Sequence, residues 1–121
     1  MRRRHTFAML NLYPYNNGHL MVVPYQHVNS LERLAPKELL ALMQHARDCQ
    51  KILKKILKPH GFNIGLNEGR AAGAGFKDHI HLHIVPRWNG DTNYMPILAE
   101  SKVISQSLNS LYQKILNAHA R

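Results

Sequence analysis

Residues 79–84 read His-Ile-His-Leu-His-Ile, and this alternation restricts the chain more than any other stretch. A period of two belongs to an extended strand, whose successive side chains leave opposite faces and whose same-face neighbours stand about 6.6 Å apart. His79, His81 and His83 therefore share one face, and Ile80, Leu82 and Ile84 share the other. The aliphatic face needs an apolar cover. Three imidazoles in a row need a chemical reason.

The cover is legible upstream. Leu39, Leu42, Met43, Ala46, Cys49, Leu53, Ile56 and Leu57 recur at three- and four-residue steps, the spacing of one helical face. Pro36 suits a first turn and Pro59-His60-Gly61 a stop, so a helix of about six turns is expected between them. Thr6–Leu12 and His19–Pro24 read as two strands joined through Pro14, Asn16, Asn17 and Gly18, a hairpin. Phe62–Asn67 and His79–Pro86 read as a third and fourth strand, with a glycine-bearing loop from Gly69 to Asp78 between them. A long loop, Arg87–Pro96, and a terminal helix over Ser105–Asn117 complete the expected order. Strands and helices mixed without regular alternation indicate an α+β domain.

With 121 residues, the chain has material for one hydrophobic core and not two. Sixteen Lys and Arg against seven Asp and Glu leave a net charge of +9, which favours an anionic ligand or surface. Lys51, Lys54, Lys55 and Lys58 read as the wetted face of the long helix, and no aromatics interleave with them as a base-stacking surface would require. Nucleic acid is not the expected partner. The single cysteine, Cys49, excludes an internal disulfide and falls on the apolar stripe, where an inert buried thiol is the default. Arg2, Arg3 and Arg4 are followed by no signal-like apolar run, and no stretch has the apolar length of a membrane span. A reduced, cytoplasmic setting is the expectation. His27, His45, His60 and His119 lie in no motif and read as surface residues.

Three accounts of the histidine face compete. The residues are satisfied polar side chains on a half-buried strand, or a metal site, since imidazole ligates zinc, or groups for covalent or acid–base chemistry, since neutral imidazole is a nucleophile near pH 7. A metal site finds little carboxylate support, because Asp78 directly precedes His79 and points to the opposite face. Gly73-Ala74-Gly75 runs into the strand, and such a backbone can turn several N–H groups toward one phosphate. Taken alone, the same loop is an ordinary flexible connection. Lys77 and Arg87 bracket the strand with positive charge. Joined to the strand, the loop favours the third account.

His79-Ile80-His81-Leu82-His83-Ile84-Val85 resembles the signature of the histidine triad (HIT) family. Phe7-Ala8-Met9-Leu10-Asn11, Gly18-His19-Leu20-Met21-Val22-Val23-Pro24 and Asn67-Glu68-Gly69 are similar to that family's other blocks, in order and spacing, over nearly the whole chain. The Gly-Ala-Gly loop and the segment Pro86–Asn93 resemble the branch of diadenosine tetraphosphate phosphorylases and related hydrolases. The resemblance implies a single HIT-like α+β domain over residues 1–121. It comprises an antiparallel sheet, one long helix packed on it and a C-terminal helix, with two copies dimerising into a continuous sheet. It implies a nucleotidyl hydrolase or transferase acting on a dinucleoside polyphosphate or a related nucleotide.

In that scheme His81 is the nucleophile, attacking the α-phosphorus to form a nucleotidyl-histidine that water or phosphate resolves. His83 binds phosphate or assists the leaving group, while His79 and His19 support the site. Asn11, Asn67, Gly73, Ala74, Gly75 and Lys77 form the substrate-binding set. No resident cofactor or metal is implied, although a divalent cation such as Mg2+ would accompany the polyphosphate. Two departures stand out. Gly75 and Phe76 occupy positions where many members have Gln and then Ser or Thr, leaving backbone amides or Lys77 to contact the bridging oxygen. This suits the phosphorylase-like branch and leaves hydrolysis and phosphorolysis both open. Typical members also carry further strands, and in many bacterial forms a Cys-x-x-Cys pair, ahead of Phe7. Either the start lies upstream, or the unit is short, with an open base pocket and an exposed sheet edge. The alternative to an enzyme is a non-catalytic nucleotide-binding module with an incomplete pocket.

Overall fold

Alternating side chains over Thr6–Leu10 and a continuous apolar run over Leu20–Pro24 form the first two strands, β1 and β2, of a computed structural model. It describes residues 1–11, 18–72, 79–90 and 108–120. Helix α1 spans Pro36–Leu57, β3 Gly61–Gly65, β4 Leu82–Arg87 and α2 Leu108–Ala120. The four strands form one antiparallel sheet in the order β1-β2-β4-β3. The α+β architecture is as expected.

Helix α1 has the expected bounds, for identifiable reasons. Pro36 occupies the first turn, and the Glu38 carboxylate accepts the Ala35 N–H at 2.9 Å, satisfying a donor the helix cannot. At the other end Lys58 turns left-handed (φ 49°) and donates its N–H to the Lys54 carbonyl. Pro59 then disfavours another helical residue before it. The stripe read from the sequence packs across β1, β2 and β4, except for Met43, which is exposed. Leu42, Ala46, Cys49 and Leu53 meet Ala8, Leu20, Val22, Leu82 and Ile84, and α2 contributes Leu111 and Ile115. Cys49 is buried and desolvation pushes its thiol up to about 11, as expected of an inert thiol. Lys51, Lys54, Lys55 and Lys58 are exposed.

Strand boundaries required correction. β1 ends at Leu10, although Asn11 still donates its N–H to the His19 carbonyl; residues 12–17 lie outside the described residues. β2 begins at Leu20 rather than His19. β3 is Gly61–Gly65 rather than Phe62–Asn67, because its pairing with β4 runs from Gly61↔Arg87 to Gly65↔His83. β4 begins at Leu82 rather than His79, because the Ile80 N–H turns aside to the Val28 carbonyl at 2.7 Å. The terminal helix begins at Leu108, and residues 101–107 lie outside the described residues.

The residues ahead of β1 fold back along it. Met1 accepts the Ala8 N–H, Arg2 bridges to Phe7, and Arg3 pairs with Asp48 of α1 at 2.8 Å. That guanidinium bond, above all, lowers the Asp48 pKa. His45 is a second correction. It is buried on α1, where its Nδ1 and the Thr6 hydroxyl of β1 are 2.7 Å apart.

Candidate functional site

The sheet has two chemically different faces because β2 and β4 pair in register. Leu20↔Ile84 and Val22↔Leu82 face α1, whereas Met21↔His83 lies on the opposite side. His19, one step before β2, falls on that same side. Its Nε2 meets Nδ1 of His83 at 2.8 Å, with the rings 4.9 Å apart at 49°. His19 is almost wholly buried, and His83 is half-buried. The amide nitrogen of Asn11 lies 3.2 Å from Nδ1 and 3.4 Å from Nε2 of His19, astride the ring.

Burial first, and the positive charge of a protonated His81 second, lower the His83 pKa to about 4. His83 is therefore neutral near pH 7, and one nitrogen of the His19–His83 contact donates while the other accepts. The His81 ring stands edge-on to His83 at 4.7 Å. Its Nδ1 is 3.1 Å from the His79 carbonyl. A carbonyl only accepts, so Nδ1 carries the hydrogen and the lone pair of the neutral ring resides on Nε2. This is the tautomer an attacking imidazole needs. The His79 ring is held likewise, donating from Nε2 to the Pro24 carbonyl at 2.8 Å.

The structure thus brings His19, His79, His81, His83 and Asn11 together. Asn67 lies exposed beyond β3, and among the described residues no hydrogen bond joins it to the histidines. Its neighbour Glu68 accepts the Leu31 N–H at 2.9 Å. Gly73, Ala74, Gly75, Phe76 and Lys77, together with Asp91 and Asn93, lie outside the described residues. Arg87 donates to the Asn63 side chain at 2.8 Å, Trp88 is half-buried, and the Asn89 N–H donates to Nδ1 of His60 at 2.7 Å. Sequence reasoning gave His27 no part in the site. It is exposed, but its ring stands edge-to-face against His79 at 4.9 Å. The only available signal was its closeness to Pro24 in the chain. Among the described residues no three His, Cys, Asp or Glu side chains are grouped to hold a metal ion. No helix among them is long and apolar enough to cross a membrane.

Residues 1–90 match the family model of the HIT domain. An AP-4-A phosphorylase of Mycobacterium tuberculosis is 46% identical over 120 residues, covering 99% of this chain and 62% of that protein. The chain belongs to the HIT domain family. A second HIT relative is the asymmetrical bis(5'-nucleosyl)-tetraphosphatase of Schizosaccharomyces pombe, 33% identical over 112 residues, or 92% of this chain and 61% of that protein. The chain therefore spans less than two thirds of the length of either relative. Among solved structures, the NitFhit protein of C. elegans superposes with a TM-score of 0.73 at 28% identity, covering 98% of this chain and 25% of that one. The sheet with one long helix packed on it is the HIT fold.

Proposed function

We propose that this chain is a HIT-type nucleotidyl hydrolase or phosphorylase that cleaves a dinucleoside polyphosphate, such as diadenosine tetraphosphate, through a nucleotidyl-histidine intermediate. The observation that carries the reading is the His81 Nδ1 contact to the His79 carbonyl, which places the lone pair of the neutral ring on Nε2. The HIT relatives whose names refer to AP-4-A phosphorolysis and tetraphosphate cleavage support the substrate class.

In this reading Nε2 of His81 forms a bond to the α-phosphorus as the bond to the bridging oxygen breaks. ATP leaves, and an adenylyl group remains on the ring. Water then yields AMP, or inorganic phosphate yields ADP, and His81 is regenerated. His83, neutral and with one N–H, donates to a phosphate oxygen or the leaving group. His19 and His79 hold the neighbouring rings, and Asn11 positions the ribose and phosphate region. Asn67, the amides of Gly73, Ala74 and Gly75, and Lys77 complete the substrate contacts, surrounding the phosphoryl oxygens with donors as charge develops. The substrate brings its own divalent cation such as Mg2+, with no resident cofactor. A cytoplasmic homodimer with a continuous sheet belongs to the same proposal.

Incubation with diadenosine tetraphosphate, with and without inorganic phosphate, tests it by anion-exchange resolution of the products. AMP with ATP in water identifies a hydrolase, whereas ADP with ATP only in the presence of phosphate identifies a phosphorylase. Nucleotide binding by folded protein without any product would instead make it a binding module. Light scattering reports the oligomeric state.

A further inference from the structure

The segment that leaves β2 touches the segment that enters β4 at three successive points. The Pro24 carbonyl accepts from His79 Nε2 at 2.8 Å, and the Val28 carbonyl accepts from the Ile80 N–H at 2.7 Å. Between them the His27 ring meets the His79 ring at 4.9 Å and 71°. The Ile80 N–H and the His79 carbonyl belong to one planar peptide unit. That carbonyl is the one that accepts from His81 Nδ1 at 3.1 Å. The bond to Val28 thus fixes the plane whose oxygen aims at His81, and donation at one end polarises the acceptor at the other. The His79 side chain anchors the same unit on its other flank.

We propose that Pro24–Val28 is a positioning element for the reaction. His27 is its side-chain member, steadying the His79 ring and thereby the peptide that holds His81 in the Nδ1–H tautomer. The proposal rests on the reading of His81 as the nucleophile. His27 touches no reacting atom in this scheme. It acts through His79, so its removal should affect kcat and leave substrate binding alone. His27 is exposed, and its replacement removes no core packing.

The test compares wild type, His27→Ala, His27→Phe and His81→Ala in diadenosine tetraphosphate turnover, with nitrogen-15 NMR of the imidazoles at neutral pH. For His27→Ala we expect kcat about three- to tenfold lower, the scale of one lost ring–ring contact, with KM unchanged. The Nδ1 and Nε2 signals of His81 should move toward one another as the tautomers mix. His27→Phe, which keeps a ring edge, should recover most of both. A His27→Ala protein with wild-type kcat and unmoved His81 signals would overturn the proposal, as would equal impairment in His27→Ala and His27→Phe. In either case an inactive His81→Ala would leave the nucleophile reading standing. An active His81→Ala would remove that reading and this one together.

Discussion

His19 and His83 are joined Nε2 to Nδ1 at 2.8 Å across the seam between β2 and β4. The bond ties an almost fully buried ring to a half-buried one on the same face of the sheet. Met21 stands directly opposite His83 in the pairing and is itself buried. His83, whose pKa is lowered, is thus held by another imidazole, with His81 beside it. A charge on His83 would face desolvation from the sheet and repulsion from a protonated His81. Both effects oppose it in the folded protein only.

Stability should fall as pH drops from about 6.5 to about 4, between the ordinary and the lowered pKa of His83. Over that window the unfolded chain binds the proton and the folded one does not, so protonation favours unfolding. Above 6.5 both states are neutral at this position and its pH-dependent contribution vanishes. Urea midpoints at half-unit pH steps should show a shallower slope over this window in His83→Gln than in wild type. Parallel curves would count against the shift.

His81→Ala should lower turnover of diadenosine tetraphosphate by about 10⁴- to 10⁶-fold, the range seen when a group acting within a catalytic unit is removed. The ring lies outside the core cluster, so the thermal midpoint should stay close to wild type. Quenching wild type in alkaline denaturant during turnover, which spares a P–N bond that acid would hydrolyse, should trap a phosphoramidate-linked nucleotide that the variant lacks.

Thr6→Val should destabilise the fold by about 1–3 kcal/mol, because the buried His45 Nδ1 loses its hydroxyl partner to a methyl group. Thr6→Ser should recover much of that loss. Urea unfolding measures both, and kcat should change little in either variant because the pair lies on the α1 side of the sheet, opposite the histidine face.

Gly18→Ala should be costly for its size. Gly18 sits at φ +84°, and an added Cβ would come within 2.5 Å of Leu57 Cδ1 and 3.1 Å of Pro86 Cγ. Left-handed strain alone contributes about 1–3 kcal/mol, before any repacking. The next residue is His19, so activity should fall together with the unfolding midpoint. A variant as stable and active as wild type would show that this corner yields freely.

The parts of this fold that were legible are those written in a repeating pattern. The stripe from Leu39 to Leu57 and the alternation from His79 to Ile84 each declare a period, and α1 and the two-faced sheet follow from them. The start of β4 was not legible, because alternation continues through His79 while hydrogen bonding does not. The Ile80 N–H goes to Val28, a partner no local pattern announces. His45 was misplaced because its chemistry outweighed its position. It lies three residues after Leu42 and four before Cys49, on the buried stripe, and its hydroxyl partner is 39 positions away. His27 illustrates the same limit at the site, since its contact with His79 exists only once β2 and β4 are paired.

The confinement of β4 between β2 and β3 also bears on how the chain tolerates insertions and deletions. Leu82, Ile84 and their partners bury one face against α1, while His83 lies on the other. One residue added or removed within this strand would exchange those faces, sending imidazoles under the helix and aliphatic groups to the opposite face. No single substitution nearby would reverse the exchange. Length polymorphism in descendants of this gene should therefore gather in the connections and spare the strand, however freely its individual side chains drift.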